Sequence, residues 1–160
     1  RLGLRASEVS SLRLEDIDWE RGQLTIQGKG NRQSLLPLPK DVGKAIVAYL
    51  KDGRPRCSSR EVFVGTRAPY RRLKAGSVVS SIVHRAVERA GLNPERKGAH
   101  LLRHTLATEC LRQGATLGEI GRLLRHAHID TTTIYAKVDY HRLALVAVPW
   151  PEDLWMGGSR

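Results

Sequence analysis

The side chains best suited to chemistry lie in one short segment, His100-Leu101-Leu102-Arg103-His104. Residues three and four apart share one face of a helix, so His100, Arg103 and His104 project together and Leu102, Leu106 and Cys110 take the opposite stripe. A guanidinium can hold two phosphate oxygens through parallel hydrogen bonds, and a neighbouring imidazole gives or takes a proton near neutral pH. Phosphate chemistry therefore suits this face, with a solvated basic surface as the simpler reading of the same residues taken alone. Other reactive groups are scattered along the chain: Arg5 and Glu8 in Gly3-Leu4-Arg5-Ala6-Ser7-Glu8, Lys29 in Gly28-Lys29-Gly30-Asn31, His126 after Leu124-Arg125, and Tyr135. Singly, each reads as an ordinary surface or packing residue. His100, His104, His126 and His128 also raise a zinc site, imidazole being a common zinc ligand, but no cysteine accompanies them and no metal is expected.

These residues depend on the elements that carry them. Ser7 to Leu12 reads as a short helix capped by Ser7, with Arg5 just ahead of it. Leu24 and Ile26 alternate with polar neighbours over Gln23 to Gln27, and a second strand runs from Gln33 to Leu38, giving a β-hairpin with Lys29 at its tip. Pro37 cannot donate to a ladder, so its strand belongs at an edge. Val42, Ile46 and Tyr49 mark a helix from Lys40 that Gly53 and Pro55 stop, and Glu61 to Val64 suggests a short third strand. Ser77 to Ala90 reads as a helix with Val78, Ile82, Ala86 and Ala90 as its apolar stripe, followed by a basic loop from Pro94 to Gly98. Ala99 to Arg112 is helical and closed by Gly114. Thr116 and Glu119 form a capping box for a helix burying Leu117, Ile120, Leu123 and Leu124. Asp130 can cap one more short helix, marginal because it opens on the β-branched run Thr131 to Ile134, and Tyr135 rides on it. Tyr140 to Val148 reads as a last helix, broken by Pro149-Trp150-Pro151. The fold class is mainly α with a small antiparallel β-sheet (α+β), in a single domain.

Composition agrees with a globular domain and points to the partner. The 160 residues are 41% hydrophobic and 27% charged, and 27 Lys and Arg against 16 Asp and Glu leave a net charge of +11, which calls for a polyanion. No apolar run is long enough to cross a bilayer. Cys57 and Cys110 stand far apart outside any CxxC pair, which suits a reduced, cytoplasmic setting. The chain opens on Arg1 directly before a dense motif, as expected of a piece of a longer protein.

The boxes Gly3-Leu4-Arg5-Ala6-Ser7-Glu8, Gly28-Lys29-Gly30-Asn31, His100-Leu101-Leu102-Arg103-His104 and Leu124-Arg125-His126, followed by Tyr135, stand in a specific order. Together they resemble the catalytic domain of the tyrosine recombinases, the phage-integrase family, over about residues 3 to 138. The resemblance implies that domain's fold, truncated at its N-terminus, without the upstream helices or the separate DNA-clamping domain. It implies site-specific recombination of DNA, with Tyr135 attacking a phosphodiester to give a 3′-phosphotyrosyl bond. Arg5 and Arg103 would clamp the non-bridging oxygens, Lys29 would protonate the leaving 5′-oxygen, His100 would accept the tyrosine proton or hydrogen-bond the phosphate, and His126 would hold the phosphate from the other side. Glu8 would support the cations. Arg32, His104, Arg122 and Arg125 are the candidate DNA contacts, Arg125 replacing the glycine usual in the family.

Because a phosphotyrosyl bond conserves the energy of the broken linkage, no cofactor is implied, neither ATP nor Mg²⁺. The implied partners are double-stranded DNA and further copies of the chain, as a tetramer on DNA, with no membrane and no small-molecule substrate. Residues 1–138 would be the catalytic fragment. Residues 139–160 would form a C-terminal helix and tail that docks on a neighbouring protomer or packs within its own chain. A type IB topoisomerase, using similar chemistry to relax supercoils, and a basic DNA-binding module without catalysis are the rival readings.

Overall fold

The computed structural model describes residues 1–28, 33–73, 75–94 and 98–126. The chain divides into two compact units, Arg1–Glu109 and Cys110–Arg160. The architecture is mainly helical with one small antiparallel sheet.

In the first unit, helix α1 (Ala6–Ser11) leads through a 3-10 turn (Leu14–Asp16) to strand β1 (Ile17–Asp18). Strands β2 (Gln23–Gln27) and β3 (Gln33–Pro37) form the expected hairpin, with Leu24 opposite Leu36 and Ile26 opposite Ser34. β1 pairs with β2 through Ile17 and Leu24, so the order is β1-β2-β3 and Pro37 lies on an outer strand, where its missing N–H costs no ladder bond. Two residues of β1 are too few for alternation to reveal it. Helix α2 (Lys40–Ala48) ends in a π turn (Tyr49–Gly53), in which the Arg54 N–H donates to the Tyr49 carbonyl at 2.7 Å. The Tyr49 ring then packs tilted against Phe63, with ring centroids 5.3 Å apart.

The larger core joins Leu12, Ile17, Leu24, Ile26, Ile46 and Val62. Burying a side chain such as Leu24 contributes about 1.5–3 kcal/mol. Glu61 to Val64, expected as a third strand, makes only isolated bridges, Arg13 to Glu61 and Val64 to Arg72. The reason lies in Arg54, whose guanidinium takes the carbonyls of Ser59, Glu61 and Val62 at 2.7, 2.9 and 3.1 Å. Three acceptors that a ladder would need are spent on a side chain.

Helix α3 (Ala75–Arg89) and helix α4 (Ala99–Arg112) complete this unit around a second cluster, Ala6, Val79 and Ala99, with Val9, Leu73 and Val83 against it. The apolar stripe of α3 is one residue off the expected one: Val79 is buried, whereas Ile82 is 44% exposed and Ala86 and Ala90 face solvent. Gly76 decides the rotation, because a Cβ placed there would lie 2.8 Å from the Ala6 Cβ. Only a glycine lets α1 and α3 come so close. α4 departs in the same way. Its inward row is Ala99, Arg103 and Ala107, while Leu102 of the expected apolar stripe is 56% exposed and Leu106 and Cys110 are half-buried.

In the second unit, α4 closes through Gly114 (φ 92), with Ala115 N–H donating to Cys110 O and Gly114 N–H to Leu111 O, both at 3.0 Å. Helix α5 (Leu117–Leu123) starts at the expected capping box: Thr116 Oγ1 accepts from Glu119 N–H at 3.2 Å, and Glu119 Oε2 accepts from Thr116 N–H at 2.8 Å. Ile120 and Leu124, four apart, form the buried row, with Leu117 half-buried. Leu123, expected in that row, falls beside it and is 39% exposed. Both cysteines are free thiols. No helix among the described residues is long and apolar enough to cross a membrane. The expected helices from Asp130 and over Tyr140 to Val148 lie outside the described residues.

Candidate functional site

Arg5 stands at the cap position of α1, its backbone extended (φ −72, ψ 151) just before the chain turns helical. Ser7, expected as the cap, is exposed and already inside the helix. Glu8 does the capping: its Oε2 accepts from the Arg5 backbone N–H at 2.7 Å and its Oε1 from Arg5 Nη1 at 2.8 Å. One carboxylate thus fixes both the main chain and the guanidinium of the same arginine. The Glu8 side chain is only 4% exposed, against 38% for Arg5. A carboxylate so far out of water is tolerable because it is paired and hydrogen-bonded. The sequence signal was available in Glu8, three residues after Arg5, the spacing that also marks Thr116 and Glu119.

Arg103 reaches the same segment from α4. It is buried, at 8% exposure, and its Nη1 donates to the main-chain oxygen of Gly3. Gly3 has φ 57, a left-handed backbone that glycine adopts without steric cost, and it sits two residues ahead of Arg5. The reading of Arg103 as part of an outward polar face, opposite a leucine stripe, is therefore corrected. Small side chains at Ala99 and Ala107 let α4 approach closely, and the guanidinium comes in because a backbone acceptor meets it there.

The structure thus brings Arg5, Glu8 and Arg103 together around Gly3 to Glu8. Two guanidiniums are thus held beside one carboxylate, in place before any ligand arrives. Such a pair can bind a tetrahedral anion and stabilise charge that grows on its oxygens. His100 is exposed one helical turn ahead of Arg103, and His104 is half-buried beside it. Lys29, Arg32 and Tyr135 lie outside the described residues, so the expected acid and nucleophile are not placed.

The second unit holds Arg122, Arg125 and His126. Arg125 has φ 54 and is the non-glycine residue with positive φ among the described residues. Its N–H donates to Arg122 O and the His126 N–H to Gly121 O, each at 3.0 Å, the pair of bonds that closes a helix through a left-handed residue. The glycine usual before this histidine is thus the residue a helix end wants. With arginine there the backbone still takes that shape, and the main chain at His126 stays pinned to α5.

Other charges serve the frame. The Ser59 hydroxyl, 2.5 Å from Glu61 Oε2, holds the Glu61 carboxyl below its ordinary range, helped by the Glu61 backbone N–H, Arg13 and Arg72. Its own backbone N–H, then Arg13 and Arg60, does the same for Glu15. No group of three or more His, Cys, Asp or Glu able to hold a metal ion occurs among the described residues, and His128 of the zinc alternative lies outside them.

Residues 1–142 match the family model described as Phage integrase family. A Sinorhizobium fredii protein named integrase/recombinase y4rA is 52% identical over 96% of this chain and 37% of its own length. The tyrosine recombinase XerD of Mycobacterium tuberculosis is 36% identical over 97% of this chain and 48% of its own. The crystal structure of the site-specific recombinase XerH, bound to its palindromic difH substrate after cleavage, superimposes with a TM-score of 0.74 at 28% identity, over 94% of this chain and 43% of that one. The chain thus spans less than half the length of each of these three proteins.

Proposed function

The chain belongs to the phage integrase family, and from that premise we propose that it carries the strand-cleaving chemistry of a site-specific DNA recombinase of the tyrosine type. Tyr135 attacks the phosphorus of a DNA phosphodiester. A bond forms between the phenolic oxygen and phosphorus, the bond to the 5′-oxygen breaks, and a 3′-phosphotyrosyl linkage results. The phenol has an ordinary pKa of about 10, so its proton needs an acceptor, His100. The departing 5′-oxygen takes a proton from Lys29. Arg5 and Arg103 hold the non-bridging oxygens, His126 holds them from the other side, and Glu8 keeps Arg5 in place. Resealing reverses these steps with another 5′-hydroxyl, so the cycle draws on neither ATP nor Mg²⁺.

Double-stranded DNA is the substrate, a reading supported by the similar XerH recombinase bound to its palindromic difH substrate and by the net charge of +11. Arg32, His104, Arg122 and Arg125 contact it. Residues 1–138 carry the reaction, residues 139–160 dock on a neighbouring protomer, and four copies assemble on DNA in the cytoplasm. One observation carries this reading: Arg103 is buried and docked on Gly3, beside the Arg5–Glu8 pair.

The test is a covalent trap. The protein is incubated with a nicked duplex carrying its recombination site, with EDTA and no nucleotide, and resolved on a denaturing gel. A protein–DNA adduct is expected, abolished by Tyr135→Phe without loss of binding. An adduct that survives Tyr135→Phe refutes the assignment of the nucleophile.

A further inference from the structure

Between Glu61 and Glu88 the chain holds no acidic residue, yet Arg67, Arg71, Arg72, Lys74 and Arg85 fall within it. Among the exposed arginines elsewhere in the first unit, Arg1 pairs with Asp41, Arg13 and Arg60 with Glu15, and Arg21 with Asp18, whereas Arg56 and Arg89 stand singly without an ion pair among the described residues. Arg67 and Arg71 make no ion pair among the described residues.

Thr66 to Arg72 is exposed throughout, with Tyr70 among the arginines at 38% exposure. The loop is nonetheless shaped. Gly65 N–H donates to Arg71 O at 2.9 Å, Arg71 N–H to Pro69 O at 2.7 Å, and Val64 bridges to Arg72. Its cations therefore project from a closed turn rather than a loose strand. The next residue, Leu73, packs on the cluster of Ala6, Val79 and Ala99. That cluster also seats Arg5, next to Ala6, and the start of the helix bearing Arg103. Arg71 stands two residues from Leu73, at most about 8 Å of chain.

We infer that the loop Thr66–Arg72 is a second DNA contact, in which Arg67 and Arg71 bind phosphates flanking the one held by Arg5 and Arg103. The inference rests on the proposed function and adds to it the surface that sets the duplex against the site. Phosphate contacts fix register and orientation rather than sequence, which suits arginines on a firm turn beside the reacting centre. The exposed Tyr70 ring adds an apolar edge against the sugar of the bound strand.

The test uses the full chain and a fluorescent duplex oligonucleotide, with affinity measured by anisotropy over a salt series. Each phosphate contact contributes about 0.9 to the slope of log K against log salt. The double variant Arg67→Gln/Arg71→Gln is expected to lose about 1.8 from that slope and to bind on the order of ten-fold more weakly. Arg67→Lys/Arg71→Lys should restore the slope. The control Lys40→Gln/Lys44→Gln removes the same charge from exposed positions of α2 and should keep the wild-type slope. A loop variant that follows the control, or a Lys variant that fails to restore binding, overturns the inference while the proposed function stands. A wild-type chain with no salt-dependent affinity for duplex DNA overturns both.

Discussion

Replacing Gly76 by alanine sets two forces against each other. Alanine is favoured over glycine inside a helix by about 1 kcal/mol, so propensity alone makes Gly76→Ala stabilising. The packing says the opposite. The new Cβ would lie 2.8 Å from the Ala6 Cβ and 3.4 Å from the Ala6 carbonyl carbon and the Ser7 nitrogen. Carbon atoms prefer roughly 3.5–4.0 Å, so α1 and α3 must part by roughly 1 Å. Overpacking of this kind costs about 1–3 kcal/mol, which outweighs the propensity gain and leaves a net loss of about 1 kcal/mol. The functional effect is larger. Ala6 follows Arg5 directly, so a shift of about 1 Å in α1 displaces the guanidinium, and misplacement on that scale costs on the order of 100-fold in rate. Urea denaturation measures the first quantity and single-turnover cleavage of a nicked duplex the second. A variant that is more stable by about 1 kcal/mol and cleaves at the wild-type rate would show that the α1–α3 contact does not govern Arg5.

Arg125→Gly relieves a left-handed backbone that costs a non-glycine residue roughly 1–2 kcal/mol, partly offset by the greater freedom of glycine in the unfolded chain. A gain of about 1 kcal/mol in urea denaturation is expected, with weaker DNA binding from the lost charge; unchanged stability contradicts the strain. Glu8→Gln keeps the shape of the cap but offers one acceptor oxygen in place of two, so one of the two bonds from Arg5 is lost and the other loses its charge assistance, and stability falls by about 1–3 kcal/mol. Single-turnover cleavage should fall with it, and a Gln variant cleaving at the wild-type rate would show that Glu8 does not hold Arg5. The Thr116 backbone N–H, then the Thr116 hydroxyl, hold the Glu119 carboxyl below the ordinary glutamate range. A depressed folded pKa means the stabilisation is present above the unfolded value and is lost as pH falls through the folded one. The protection factors of the α5 amides, measured against their intrinsic exchange rates, should therefore fall on acidification in the wild type and change less in Glu119→Gln; parallel profiles refute the linkage.

Local signals survived translation into structure, and long-range ones did not. The box at Thr116 and Glu119 and the stop at Gly114 are built from neighbours, and both stand where their residue types put them. The hairpin followed from alternation at Leu24 and Ile26. The inward turn of Arg103 could not be read from periodicity, because a burial pattern assigns charge to the outside and the acceptor that reverses it, Gly3 O, is 100 residues away. On α3, Val78 and Val79 offer competing apolar rows, and the contact of Gly76 with Ala6 chooses between them. That Glu61 to Val64 forms no strand turns on Arg54, whose hold on three carbonyls leaves no trace in strand propensity.

Placing a guanidinium on the inner row of α4 ties that helix to the chain around Gly3 through a charged group taken out of water. Leucine or methionine at position 103 alone would take the donor from the Gly3 oxygen, and removing one side of a buried polar contact costs stability even where the new side chain fills the space. The position therefore resists drift to an apolar residue on grounds of folding alone, before any use of the guanidinium as an anion clamp is counted.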